Sequence, residues 1–296
     1  MHIDDHDHGL AHDLKAMEAL VARRRALKWF AGAGTAALVA SCGSDDTSGG
    51  SLTVVDAATP TPTPSASATP TPTPTAGATC VADPQETAGP YPGDGTNNAS
   101  GATSNVLTSS GIVRSDIRAS FIGSTTVATG VAVKLTLTLV DVNSACAPLA
   151  GYAIYLWQCD REGRYSLYTA ATESYLRGVQ VTDANGQVSF TTIFPGCYDG
   201  RWPHMHFEVF TSLTNATSGR YAVLTSQLAM PSAVCATVFA DTATYPSSAG
   251  NFARVSLGSD MVFADNGSAQ IAQMTPTFTG SVADGYAASA VVGLAT

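Results

Sequence analysis

Residues Val131 to Asp141 read VAVKLTLTLVD. Val133, Leu135, Leu137 and Leu139 fall at alternate positions, with Lys134, Thr136 and Thr138 between them. A period of two marks a β-strand with one face buried and the other in water. Similar signals recur outward from this stretch. Tyr152 to Gln158 (YAIYLWQ) is rich in β-formers, and His204 to Phe210 (HMHFEVF) alternates again. Asp183 to Gln187 (DANGQ) contains an Asn-Gly turn and leads into a strand over Val188 to Phe194. A short helix is expected only at Pro231 to Phe239, and the region after Tyr245 reads as further strands. Many short strands with turn signals between them predict an all-β fold, a β-sandwich.

Composition narrows the function classes. The 296 residues carry 14 Lys+Arg against 23 Asp+Glu, a net charge of −9, which argues against nucleic acid or an anionic membrane surface as a main partner. Aromatic residues make up 8% of the chain, enough to build a packed core. No apolar run approaches the roughly 20 residues needed to span a bilayer.

The first 41 residues read as an export signal. Arg23, Arg24, Arg25 and Lys28 precede a short Ala- and Gly-rich apolar stretch, Trp29 to Ala40, in the manner of a twin-arginine signal peptide. Val39-Ala40-Ser41-Cys42 resembles a bacterial lipoprotein cleavage box, so Cys42 is the expected lipidation site. The expected location is outside the cytoplasm, as a lipoprotein at the outer face of the cell membrane or in the envelope, or else secreted. The membrane is then met through the lipid anchor alone. Residues 42–79 hold Pro60, Pro62, Pro64, Pro70, Pro72 and Pro74 in Thr-Pro repeats, with no apolar periodicity. Such a segment cannot bury a core and reads as a disordered stalk of extended polyproline character. One globular domain over 80–296 remains.

Removal of the leader takes His2, His6, His8 and His12 with it, leaving His204 and His206 as the histidines of the mature chain. Cysteine usage fits export: with Cys42 set aside, Cys80, Cys146, Cys159, Cys197 and Cys235 remain, an odd number. The sequence does not choose among their pairings; the expectation is Cys80–Cys146 and Cys197–Cys235, with Cys159 buried and free.

His204 and His206 stand two apart on a predicted strand, so both imidazoles project from one face and can reach one ion. Glu208 holds the next alternate position. These three could form a two-histidine, one-carboxylate site for a metal-dependent hydrolase or oxygenase. A second candidate set replaces Glu208 by Tyr165 and Tyr198, whose phenolates favour Fe(III) over Fe(II). Spacing alone does not decide between them. A non-catalytic β-sandwich binding module is a third reading of the same pattern.

ETAGPYPGDG (86–95), GYAIYLWQCDREGRYSLY (151–168) and YLRGVQVTDANGQVSFTTIFPGCYDGRWPHMHFEV (175–209) together resemble the intradiol ring-cleavage dioxygenases. The resemblance is nearest to the protocatechuate 3,4-dioxygenase β-subunit-like group, in its exported bacterial branch. It implies a β-sandwich holding non-haem Fe(III) through Tyr165, Tyr198, His204 and His206. It implies that Tyr198 is the displaceable ligand and takes up a substrate proton, and that Arg201 stabilises developing negative charge. Pro90, Tyr91, Trp157 and Gln227 match positions that line the substrate pocket. The implied reaction opens a catechol-type diol with O2 to a cis,cis-muconate-type diacid. The implied partners are a small aromatic diol and O2, with a homo-oligomer possible. In this reading Glu208 is not a ligand. No basic residue marks a place for a substrate carboxylate.

Overall fold

The computed structural model describes residues 80–296. The expected signal peptide, lipidation site and stalk, residues 1–79, lie outside the described residues. Eleven strands form: β1 (Asp94–Ala99), β2 (Ala102–Asn105), β3 (Ala132–Asp141), β4 (Ala147–Pro148), β5 (Ala153–Trp157), β6 (Arg177–Val181), β7 (Gln187–Ile193), β8 (His204–Phe210), β9 (Leu224–Ala229), β10 (Thr277–Ser281) and β11 (Gly285–Leu294). Three short helices follow β9: α1 (Ser232–Phe239), and then α2 (Ser248–Phe252) and α3 (Ser268–Met274).

The expected β-sandwich is present. One sheet runs β10-β11-β3-β4, with β7 also paired to β3, and the other runs β6-β5-β8-β9. Leu135, Leu137 and Leu139 of β3 and Phe190 of β7 meet Ile154 and Leu156 of β5 and Met205, Phe207 and Val209 of β8 in one core. Each set comes from alternate positions, as the period of two requires. β3 is the sequence's first strand, one residue shorter than expected, and β8 has the bounds read from the sequence. The helix expected over Pro231 to Phe239 forms as α1, with Pro231 at its N-cap.

One expectation holds with a destination the sequence did not show, and two need correction. The Asn-Gly turn forms, with Asp183 Oδ1 accepting from the amides of Asn185 and Gln187 at 2.8 and 2.9 Å. It joins β6 to β7, however, and these strands belong to different sheets. The turn therefore carries the chain across the sandwich rather than closing a hairpin. Gly186 lets it pass there: its φ is +71°, and a Cβ would lie 2.4 Å from the Leu139 carbonyl oxygen. Secondly, the region after Tyr245 holds α2 and α3 before β10 and β11, so it is not all strand. Thirdly, Cys80 and Cys146 form a disulfide, but Cys197 and Cys235 are buried free thiols alongside Cys159. Cys197 and Cys235 pack as small apolar groups in the sandwich core. No helix among the described residues is long and apolar enough to cross a membrane.

The outer face of the four-stranded sheet is also covered. Tyr155 and Trp157 of β5, Val179 of β6 and Phe210 of β8 pack beneath Val106, Leu107, Ile112 and Tyr165 from the connecting segments. Every residue of β5, β8 and β9 is consequently buried. Polar side chains on that covered face must find partners within the protein.

Candidate metal centre

His204 and His206 point from β8 into the covered layer, and both rings are buried. Their Nε2 atoms lie 3.0 Å apart. The Tyr165 hydroxyl stands 3.3 Å from His204 Nε2 and 3.2 Å from His206 Nε2. The Tyr198 hydroxyl stands 3.2 Å from His204 Nε2. Four donor atoms from one strand and two loops thus converge on one point. First-row metal–nitrogen and metal–oxygen bonds of about 2.0–2.2 Å produce donor–donor separations of this size.

The protonation states fit a cation. His204 Nδ1 lies 2.5 Å from the Trp202 carbonyl, to which it donates, so Nε2 keeps its lone pair toward the centre. Burial, reinforced by the Arg201 charge, pushes His204 down to about 3. Burial and the neighbouring His204 hold His206 well below the ordinary imidazole range. Both rings are therefore neutral, the ligating form. Burial drives the Tyr165 and Tyr198 phenols upward. A cation at the convergence point would offset that by favouring the phenolates.

Neighbouring strands fix the ligands. In the β5–β8 register Trp157 pairs with His206, and its indole stacks on the imidazole with centroids 4.8 Å apart and planes 8° apart. Trp157 has no exposed surface, so it backs a ligand rather than facing a substrate. On the other side of β8, Gln227 of β9 pairs with His206. Tyr165 is fully buried, whereas Tyr198 is half-buried on the loop before β8. The two loops touch at Gly163, where a Cβ would lie 2.9 Å from the Tyr198 Cβ.

Arg201 is buried beside the centre. Its Nη2 donates to Gln227 Oε1 at 2.8 Å, and Gln227 Nε2 donates to the Thr87 carbonyl at 2.9 Å. Its Nε donates to Asp260 Oδ2 at 2.9 Å. Burial alone would lower the guanidinium, but the oxygens of Tyr198 and Asp260 outweigh it and keep Arg201 charged. The segment before β1 passes over the ligands. A Cβ on Gly89 would lie 3.4 Å from His206 Cε1, and the Tyr91 ring sits 4.9 Å from that of Tyr165. Pro90 is half-buried in the same segment and accepts from Asn97.

Glu208 does not join the centre. It is buried against Asp94, and burial together with Asp94 raises its carboxyl well above the usual range. Among the described residues no group of three or more His, Cys, Asp or Glu side chains could hold a metal. The His204–His206–Glu208 set is therefore not assembled; the tyrosine-bearing set is.

Two further residues shape the site and were not anticipated. Arg177, without exposed surface, donates to the carbonyls of Tyr91, Pro92 and Ser166, to Ser166 Oγ and to Tyr155 Oη, all at 2.7–2.9 Å. It ties the loop carrying Tyr165 to the segment carrying Tyr91. The YLRG run held Arg177, but nothing local distinguished it from a surface arginine. Asp260 comes from the turn between α2 and α3 and had no sequence signal at all.

Residues 124–232 match the sequence model of the dioxygenase family. The resemblance to the intradiol ring-cleavage dioxygenases holds, and the domain has their fold. An intradiol ring-cleavage dioxygenase from Tetranychus urticae superimposes with a TM-score of 0.55 at 24% identity, over 73% of this chain and 95% of that one. The dioxygenase Tetur07g02040 gives a TM-score of 0.55 at 23% identity over the same shares. Catechol 1,2-dioxygenase from Pseudomonas arvilla C-1 gives 0.42 at 19%, over 71% of this chain and 61% of that one. No curated protein matches the chain.

Proposed function

We propose that the domain opens a catechol-type aromatic diol between its two hydroxylated carbons, using O2 and Fe(III) held by Tyr165, Tyr198, His204 and His206. The convergence of those four donors, with neighbouring atoms 3.0–3.3 Å apart on the covered face of β8, carries this reading. Two phenols that ionise on binding and two neutral imidazoles suit a hard trivalent ion. Ferric iron, when bound, supplies a Lewis acid that acidifies the diol and readies its ring for O2.

The protein's own groups supply the rest. Tyr198 is the outer, half-buried phenol, and its Oη accepts a proton from the incoming diol. Arg201 keeps Nη1 hydrogens that no described residue takes, and these balance negative charge on oxygens derived from the ring. Pro90 and Tyr91 cover the centre and keep bulk water from it. Trp157 holds His206 in place. Both atoms of O2 enter the product, a cis,cis-muconate-type diacid, so no atom of the diol is lost.

Export belongs to the same proposal. The leader-like residues 1–41 and the Cys80–Cys146 disulfide, a bond that persists in oxidising compartments, support it. Lipidation at Cys42 would place the domain on a stalk at the membrane.

Turnover of catechol under ¹⁸O2 tests the reaction. A diacid carrying two ¹⁸O atoms is expected. Cleavage outside the diol to a semialdehyde, or unchanged catechol with fully ferric protein, would overturn the proposal.

A further inference from the structure

We infer that Asp260 is a positioning residue for this site, acting through both Arg201 and His204; the inference rests on the ring-cleavage reading above. Asp260 has no exposed surface. Its Oδ2 accepts from Arg201 Nε at 2.9 Å and from the Trp202 amide at 2.7 Å. Its Oδ1 accepts from the amides of Val262 and Phe263 at 2.8 and 3.2 Å. Four N–H groups thus saturate one carboxylate and leave it a single orientation.

Two links run from that carboxylate to the centre. Through the first, the guanidinium plane is fixed: Nε is taken by Asp260 and Nη2 by Gln227, so Nη1 is left for a ligand. Through the second, the Trp202 peptide is fixed, and its carbonyl accepts from His204 Nδ1. One side chain therefore sets the direction of the charge-stabilising group and the ring orientation of a ligand. Asp260 also makes the buried Arg201 half of a neutral pair, so an unpaired positive charge does not oppose a cation held nearby. An asparagine keeps the size of the side chain but loses the charge and sets its NH2 against two of these four N–H donors.

The segment that delivers Asp260 lies beyond residues 124–232, the part of the chain that matches the dioxygenase family model. The Asp260 amide donates to the Ser256 carbonyl at 2.9 Å, and the Ala264 amide donates to the Asp260 carbonyl at 2.9 Å. Val262 and Phe263 then pack against Trp202 in a separate apolar cluster. The C-terminal part of the domain is thus a rear wall for the turn that runs from Arg201 to His204.

The test compares wild type, Asp260→Asn, Arg201→Met and the double variant, each loaded with iron. The readouts are iron content, the visible band, 4-nitrocatechol binding, and kcat and KM for catechol. A small misplacement near the chemistry costs about 10²-fold. Asp260→Asn should lower kcat by about that factor while KM stays within about threefold, and should shift the visible band through His204. In the Arg201→Met background it should lower kcat less than about twofold, because the group it aims is gone, while the band still shifts. Wild-type kcat and an unmoved band in Asp260→Asn would overturn the inference. So would losses that multiply in the double variant, which would make Asp260 a structural residue acting independently of Arg201. If Asp260→Asn does not fold, the double variant, which buries no unpaired charge, is compared with Arg201→Met; failure of both to fold also overturns the inference. A ferric wild type that consumes no catechol defeats the ring-cleavage reading instead, and the band alone then decides the His204 link.

Discussion

The two sheets of this sandwich share one core but differ on their outer faces. On β3 the outward positions Lys134, Thr136 and Thr138 reach water or its edge, and burial alternates along the strand. On β8 every position from His204 to Phe210 is buried. An outer face in water can be polar without consequence. One that is covered takes its polar side chains out of water, and here His204, His206, Glu208, Gln227 and Arg177 are among those so confined. A strand pattern that should be half wet, yet is wholly buried, is where the chemistry collects.

Deleting inner-face packing should have the largest effect on stability. Phe207→Ala empties a fully buried position of β8 and should cost about 3–5 kcal/mol in denaturant unfolding. A loss under about 1 kcal/mol would mean that the two sheets do not share a core there.

On the covered face the telling effect should be kinetic, beside the stability lost when the buried Asp260 carboxylate is left without its partner. Arg201→Met removes a group that touches no ligand atom in this geometry, so iron should remain bound. Turnover of catechol should fall by about 10²–10³, the usual cost of one preorganised charge-stabilising donor. O2 uptake at the wild-type rate would show that the covered face holds Arg201 for packing alone.

A smaller effect is expected at the end of β11, where the segment leading to the site is pinned. Asp83 Oδ2 accepts from the Gly293 amide at 2.7 Å, and burial raises its carboxyl from 3.8 to about 7, against the lowering effect of that bond. A carboxyl whose folded pKa is raised takes up a proton on folding. Its contribution is therefore fullest below about pH 4 and is lost as pH rises through about 7. Asp83→Asn should remove that slope and gain about 1–3 kcal/mol over wild type at pH 8, read from unfolding midpoints across pH. Parallel pH profiles for the two proteins would contradict the buried-carboxyl account.

The smallest change belongs to the wet face. The Thr136 hydroxyl of β3 bonds Ser189 Oγ across the strand pair, and Thr136→Ala should move stability by less than about 0.5 kcal/mol with turnover unchanged.

The contrast also explains what could be read in advance. Alternation disclosed β3, and the same period placed His204 and His206 on one face of β8, because both signals are local. Asn-Gly disclosed a turn but not its destination, since local turn chemistry is the same whether the chain stays in a sheet or crosses the sandwich. Tyr165 and Tyr198 sit in loops without periodicity; they stood as one of two candidate ligand sets, and only family resemblance chose that set before the structure brought their hydroxyls to the histidines. The helices α2 and α3, of five and seven residues, are too short to show helical periodicity among Ser, Ala and Gly. Asp260 meets Arg201 across 59 positions of sequence, so no window could connect them.

The central claim is that Tyr165, Tyr198, His204 and His206 hold ferric iron on the covered face of β8. The visible spectrum of the iron-loaded protein, recorded with its iron content, tests this most directly. The account predicts equimolar iron and a red-brown phenolate-to-iron charge-transfer band that changes in Tyr165→Phe and Tyr198→Phe and persists in Glu208→Gln. A colourless iron-loaded protein, or metal binding that depends on Glu208 and not on Tyr165, would contradict it.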